Sequence, residues 1–94
     1  MVEEGRGLIR VKVVFLGILA DITGMSIEYL DIPENTSVDS LIAFLSEKHS
    51  PLSDWLSKVP LIQVSVNGVD VTSRDVILHN GDEVVLSTPL YEGG

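Results

Sequence analysis

The 94-residue sequence has no cysteine, two histidines, one tryptophan, two tyrosines, two phenylalanines and six lysines plus arginines. Without cysteine there is no disulfide framework, no thiolate nucleophile and no thiolate metal ligand. His49 and His79 alone do not furnish an imidazole metal site, so neither metal nor cofactor is expected. Fourteen acidic residues against six basic ones leave a net charge of −8. That field repels phosphates and anionic headgroups, which excludes nucleic acid and membrane surfaces as partners. The longest apolar run, Val13 to Ala20, is interrupted by Gly17 and bounded by Lys12 and Asp21, too short to cross a bilayer. Glu3 and Glu4 precede any basic residue, unlike the start of a secretory signal. The expectation is a cytoplasmic protein.

What is present is apolar enough to fold. Hydrophobic residues make up 45% of the chain, too many for intrinsic disorder, and the length fits one domain over residues 1–94. Residues 1–7 read as a loose start and 89–94 as an extended tail. Ile9, Val11, Val13 and Phe15 alternate with Arg10, Lys12, Val14 and Leu16, the period of a strand. Gly17 to Gly24 reads as a connection. A second strand follows from Met25 to Ile32, with Met25, Ile27 and Tyr29 suiting one face and Leu30 and Ile32 the other. Both faces are then partly covered, or a bulge switches them.

Thr36 and Asp39 resemble a capping box, after which Val38, Leu41, Ile42 and Leu45 recur at helical spacing. Ser50 and Pro51 suit the start of a short helix carrying Leu52, Trp55, Leu56 and Val59, with Trp55 in the core. Ile62, Val64 and Val66 alternate into Asn67-Gly68, a type I′ hairpin signal leading to Val69 and Val71. Asn80-Gly81-Asp82 marks another turn before a last strand from Val84 to Ser87. The order implies an α+β fold in which one main helix crosses a mixed sheet.

Catalytic motifs are scarce. The adjacent pairs Glu3-Glu4 and Asp82-Glu83 diverge on extended backbone, and Asp82 better suits the amides of its own turn. His49 falls at the end of the main helix, where a favourable interaction with the terminus accounts for it. His79 precedes a turn and is expected to be exposed. No GxGxxG or GxxxxGK[ST] string provides a phosphate cradle. No catalytic residue is assigned.

The remaining feature is the end of the chain, Thr88-Pro89-Leu90-Tyr91-Glu92-Gly93-Gly94. Pro89 bars simple continuation of the last strand, and two residues without side chains can thread a narrow channel and present the Gly94 carboxylate. A carboxylate is inert to nucleophiles until its oxygen becomes a leaving group. Adenylation by ATP achieves that, after which a sulfur nucleophile gives a thiocarboxylate, or a thiol and then an amine give an amide. Lacking a phosphate loop, the chain needs a partner that brings the ATP site.

Val11-Lys12-Val13-Val14-Phe15, Gly24, the helix from Thr36, Val66-Asn67-Gly68, Leu78-His79-Asn80-Gly81-Asp82-Glu83-Val84 and Gly93-Gly94 together resemble the ubiquitin-like sulfur carriers. That group includes the molybdopterin synthase small subunit, the thiamine-biosynthesis sulfur carrier, and the ubiquitin-related and small archaeal modifiers. The resemblance implies a ubiquitin-like β-grasp: a mixed sheet of four to five strands, one main helix on one face, and a flexible Gly-Gly tail. It also implies activation of Gly94, with Gly93, by an ATP-dependent adenylating enzyme of the ubiquitin-activating type. Sulfur transfer or lysine conjugation would follow, with a molybdopterin synthase large subunit or conjugation targets as further partners. Molybdopterin synthase small subunits usually end Pro-Pro-Val-Ser-Gly-Gly; here Leu90-Tyr91-Glu92 precede the glycines, which keeps the modifier branches in view.

Val14, Leu16, Leu90 and Tyr91 are the candidate apolar contacts for such partners. Lys12, Lys48 and Lys58 are ordinary surface lysines that could also accept tags. The competing reading is a non-covalent ubiquitin-like interaction module whose terminal glycines are incidental.

Overall fold

A computed structural model describes residues 7–58 and 62–88 of the chain. The element order is β1 (Leu8–Phe15), α1 (Ile18–Thr23), β2 (Ile27–Pro33), α2 (Val38–Lys48), α3 (Ser50–Lys58), β3 (Gln63–Val66), β4 (Val69–Val71) and β5 (Glu83–Ser87). The sheet has five strands in the order β2-β1-β5-β3-β4. β1 and β5 run parallel, and every other neighbouring pair is antiparallel.

The alternation in β1 does what its period demands. Ile9, Val11, Val13 and Phe15 are buried on the inner face, and Arg10, Lys12 and Val14 lie on the outer one. Val38, Leu41, Ile42 and Leu45 supply the buried stripe of α2, and Leu52 that of α3. Val64, Leu78, Val84 and Leu86 complete the same core. Each such aliphatic side chain contributes about 1.5–3 kcal/mol on burial. Trp55 is half-buried and packs against this cluster from outside.

Four expectations need correction. Gly17 to Gly24 is not a bare connection, because Ile18–Thr23 forms a helix whose Leu19 is buried. Six residues span less than two helical turns and carry too little periodicity to stand out. The second strand neither bulges nor changes face: its register against β1 is unbroken from Val14↔Ile27 to Leu8↔Pro33. Its buried face is Glu28, Leu30 and Ile32, while Ile27 and Tyr29 are exposed. The cap of α2 is Ser37, whose hydroxyl accepts from the Ser40 amide at 3.1 Å, and Thr36 instead donates to the Pro33 carbonyl at 2.6 Å. The fourth correction, at His49, belongs to the site below.

The two turns at one end of the sheet are tied together. Asn67 and Gly68 take φ of 53° and 84°, the pair of positive values that a type I′ turn requires. Asn67 donates to Asp82 Oδ1 at 2.9 Å and accepts from the Glu83 amide at 2.9 Å. Asp82 Oδ2 accepts from the His79 amide at 2.8 Å, so Asp82 serves its turn as expected, and His79 is exposed.

Gly17 starts α1 at φ 58°, ψ −130°, a conformation essentially reserved for glycine. A Cβ there would meet no atom within 4 Å. Gly17→Ala therefore isolates backbone strain, and we expect a loss of about 1–3 kcal/mol in urea unfolding with no change of fold.

Candidate functional site

Alternation along β1 sends Lys12 and Val14 to the face opposite the helices, and pairing sets their neighbours. Val14 is level with Ile27 on β2 and Val85 on β5; Lys12 is level with Tyr29 and Glu83. Val14 is half-buried between its neighbours, while Ile27 and Tyr29 are 47% and 61% exposed. Leu16 is 47% exposed just beyond β1, where its amide donates to the Leu86 carbonyl at 3.0 Å. The result is an apolar outer face that reaches the end of β5, the strand from which the terminal residues continue.

Of the expected site residues, Val14 and Leu16 share this face, whereas Leu90, Tyr91, Gly93 and Gly94 lie outside the described residues, as do Met1 to Arg6 and Val59. Sequence reasoning missed Ile27 and Tyr29 as members of the face. The available signal was the alternation Ile27, Tyr29, Asp31 against Glu28, Leu30, Ile32, obscured because a carboxylate occupies a core position.

Charges on the face are already paired. Arg10 donates through Nε and Nη2 to the two oxygens of Asp31 at 2.9 and 3.0 Å, and Lys12 Nζ lies 3.4 Å from Glu83 Oε2. The hydrogen bond from Arg10 holds the Asp31 carboxyl below its ordinary range. A shallow, solvent-open hollow of about 350 Å³ lies among Arg10, Lys12, Tyr29, Asn80 and Gly81, but neither cation in it lacks a carboxylate. Among the described residues no three His, Asp or Glu side chains come together as a metal site, and no helix is long and apolar enough to cross a membrane.

On the inner side, Glu28 is 8% exposed and receives two partners from the end of α2. His49 Nε2 lies 2.9 Å from Oε1, and Lys48 Nζ bonds to Oε2. This corrects the reading of His49: it occupies the C-cap position of α2, but its ring is engaged by Glu28 and meets Phe15 edge-on, with centroids 6.0 Å apart. Burial pushes the Glu28 carboxyl up, yet the hydrogen bonds and charges of Lys48 and His49 outweigh it and leave it below its ordinary value.

A five-stranded mixed sheet carrying its main helix on one face and an apolar surface on the other defines a ubiquitin-like β-grasp protein. The profile of the ThiS family matches residues 13–91, and the chain belongs to that family, among the ubiquitin-like sulfur carriers and modifiers. SAMP1 from Haloferax volcanii superimposes with a TM-score of 0.74 at 22% identity, over 89% of this chain and 99% of that one. A putative molybdopterin converting factor, subunit 1, from Pyrococcus furiosus gives 0.73 at 24% identity, over 87% and 99%. A complex of subunits 1 and 2 of the molybdopterin-converting factor from Helicobacter pylori gives 0.63 at 22% identity, over 90% and 100%. Comparison with curated protein sequences gives no match.

Because the Glu28 carboxyl is lowered in the folded state, its contribution to stability is complete above its unfolded-state pKa and is lost as pH falls through the folded-state value. Glu28→Gln is expected to cost about 1–3 kcal/mol at neutral pH. The gap from the parent protein should close on acidification, as read by urea unfolding across that range; a constant gap would contradict the linkage.

Proposed function

We propose that the chain is a carrier whose Gly94 carboxylate is activated by a partner enzyme. What supports this reading most is membership of the ThiS family, matched over residues 13–91, in a sequence that carries Gly93-Gly94 after the matched region. In the first step the carboxylate attacks the α-phosphorus of ATP, releasing pyrophosphate and leaving Gly94 as an acyl-adenylate. Hydrosulfide-level sulfur then attacks the carbonyl carbon, and AMP leaves. The product is a thiocarboxylate in which one oxygen has become sulfur. Capture by a thiol and then a lysine amine instead gives an isopeptide, so one activated state serves both sulfur transfer and protein tagging.

The chain itself supplies the reacting group and the surface that presents it, and the adenylating enzyme supplies the ATP site. The acceptor is a molybdopterin synthase large subunit, a tRNA-thiolating enzyme or a set of target proteins, acting in the cytoplasm. Val14 and Leu16, with Leu90 and Tyr91, form the contact that brings the terminus to the activating enzyme. The placement of Leu16 beside the end of β5 favours this, because an enzyme gripping the apolar face meets the chain where it leaves the sheet. A net charge of −8 speeds encounter with a basic surface, while apolar contact slows release.

Incubated with ATP, its adenylating enzyme and a sulfur donor, the intact protein should gain about 16 Da, the mass difference between sulfur and oxygen. Removal of Gly93 and Gly94 should abolish that gain without altering the unfolding midpoint; an unchanged parent mass overturns the proposal. Leu16→Asp should leave stability within about 0.5 kcal/mol, since the residue is exposed, yet weaken binding to the adenylating enzyme about tenfold or more in calorimetry.

A further inference from the structure

The sheet leaves one long edge uncovered, and backbone bonding shows which groups it offers. Phe15 donates to the Ser26 carbonyl at 2.8 Å, and Glu34 donates to the Gly7 carbonyl at 3.1 Å. With the unbroken register between them, these bonds fix the parity of the ladder: Glu28, Leu30 and Ile32 bond inward to β1. The N–H and C=O groups of Ile27, Tyr29 and Asp31 therefore point outward from β2, at a spacing of about 7 Å. No described backbone or side-chain group bonds to them. Pro33 closes that edge with a residue that has no N–H. The opposite edge, β4, is only three residues long, the usual way of blunting a strand against pairing.

A wall stands over the β2 edge on its inner side. Lys48 bonds to Glu28, which fixes the flank of α2 that overlooks β2. Phe44 lies one turn earlier on that same flank and is 42% exposed. Ile27 and Tyr29 flank the edge on the outer side. Three outward amide pairs, an aromatic above and two apolar side chains below are what an extended strand with alternating apolar residues requires.

Charge selects which strand. Asp31 in the edge is already matched by Arg10, but Glu34 just beyond it and Glu47 beside Lys48 pair with no described cation. A second copy of this chain would bring −8 against −8. We infer that the free edge of β2 takes up, by strand addition, an extended apolar segment with basic flanks from a different protein. The outward amides of this site lie across β1 from β5 and take no part in the carboxyl-terminal chemistry, although Ile27 and Tyr29 also border the apolar outer face.

The probe is a short synthetic peptide of alternating valine and threonine with lysine at both ends, titrated into isotopically labelled full-length protein. Amide resonances of Ile27, Tyr29 and Asp31 should shift, and their hydrogen exchange should slow. The same peptide N-methylated at alternate amides should leave all three unchanged. Tyr29→Pro removes one outward donor while keeping every bond to β1, and should weaken binding about threefold to tenfold with the amide spectrum otherwise preserved. Phe44→Ser, at an exposed helix position, should weaken binding by a similar factor and serves if the proline variant does not fold. Undiminished binding of the methylated peptide, shifts confined to Val14 and Val85, no shift at millimolar peptide, or a dimer formed through β2 in sedimentation would each overturn the inference.

Discussion

The parallel pairing of β1 with β5 is the constraint on which the rest of the molecule depends. Parallel neighbours cannot be joined by a tight turn, so the chain between them must cross over the sheet. All three helices and the remaining strands lie in that crossing. The register from Lys12↔Glu83 to Phe15↔Leu86 decides both faces together. Inward it stacks Val13 on Val84 and Phe15 on Leu86; outward it sets Val14 beside Val85 and brings Leu16 to the end of β5. A slip of one residue in this pair would exchange core and contact surface.

Much of this architecture was legible wherever burial follows a single period. The alternation in β1, the stripe on α2 and the Asn67-Gly68 turn each combine local preference with the pattern that packing demands. Legibility failed where a polar residue holds a core position or where an element is too short to repeat. Glu28 broke the inner face of β2, leaving the outer residues Ile27 and Tyr29 to resemble the core. α1 buries only Leu19, and one buried residue has no period. At the start of α2 two hydroxyls compete, and Thr36 is drawn to the Pro33 carbonyl, which leaves the cap to Ser37.

The candidate site was readable in a different way. Its reacting atom is a main-chain carboxyl, which any chain possesses, so its chemistry is announced by the absence of side chains at Gly93 and Gly94 and by the order of motifs before them. The contact surface was only half legible. Val14 and Leu16 stood out as apolar residues on the polar side of a strand, whereas their neighbours come from β2 and β5 and depend on pairing across the sheet. The engagement of His49 by Glu28 was equally hidden, because the two are brought together only when the end of α2 settles over β2.

The bonds that tie the two turns together also bear on chemical ageing. Asn67-Gly68 and Asn80-Gly81 are both of the sequence type in which the following nitrogen most readily attacks the asparagine side-chain carbonyl and expels ammonia, closing a succinimide that water opens to aspartate or isoaspartate. That ring closure needs the amide to swing onto the glycine nitrogen. Here the Asn67 amide is held at both ends, by Asp82 and by the Glu83 amide, and the Asn80 oxygen accepts from the Arg10 amide at 2.8 Å. The contacts of Asn67 across the two turns, and of Asn80 with β1, thus oppose the side-chain rotation that ring closure needs, so opening of that end of the sheet should favour deamidation.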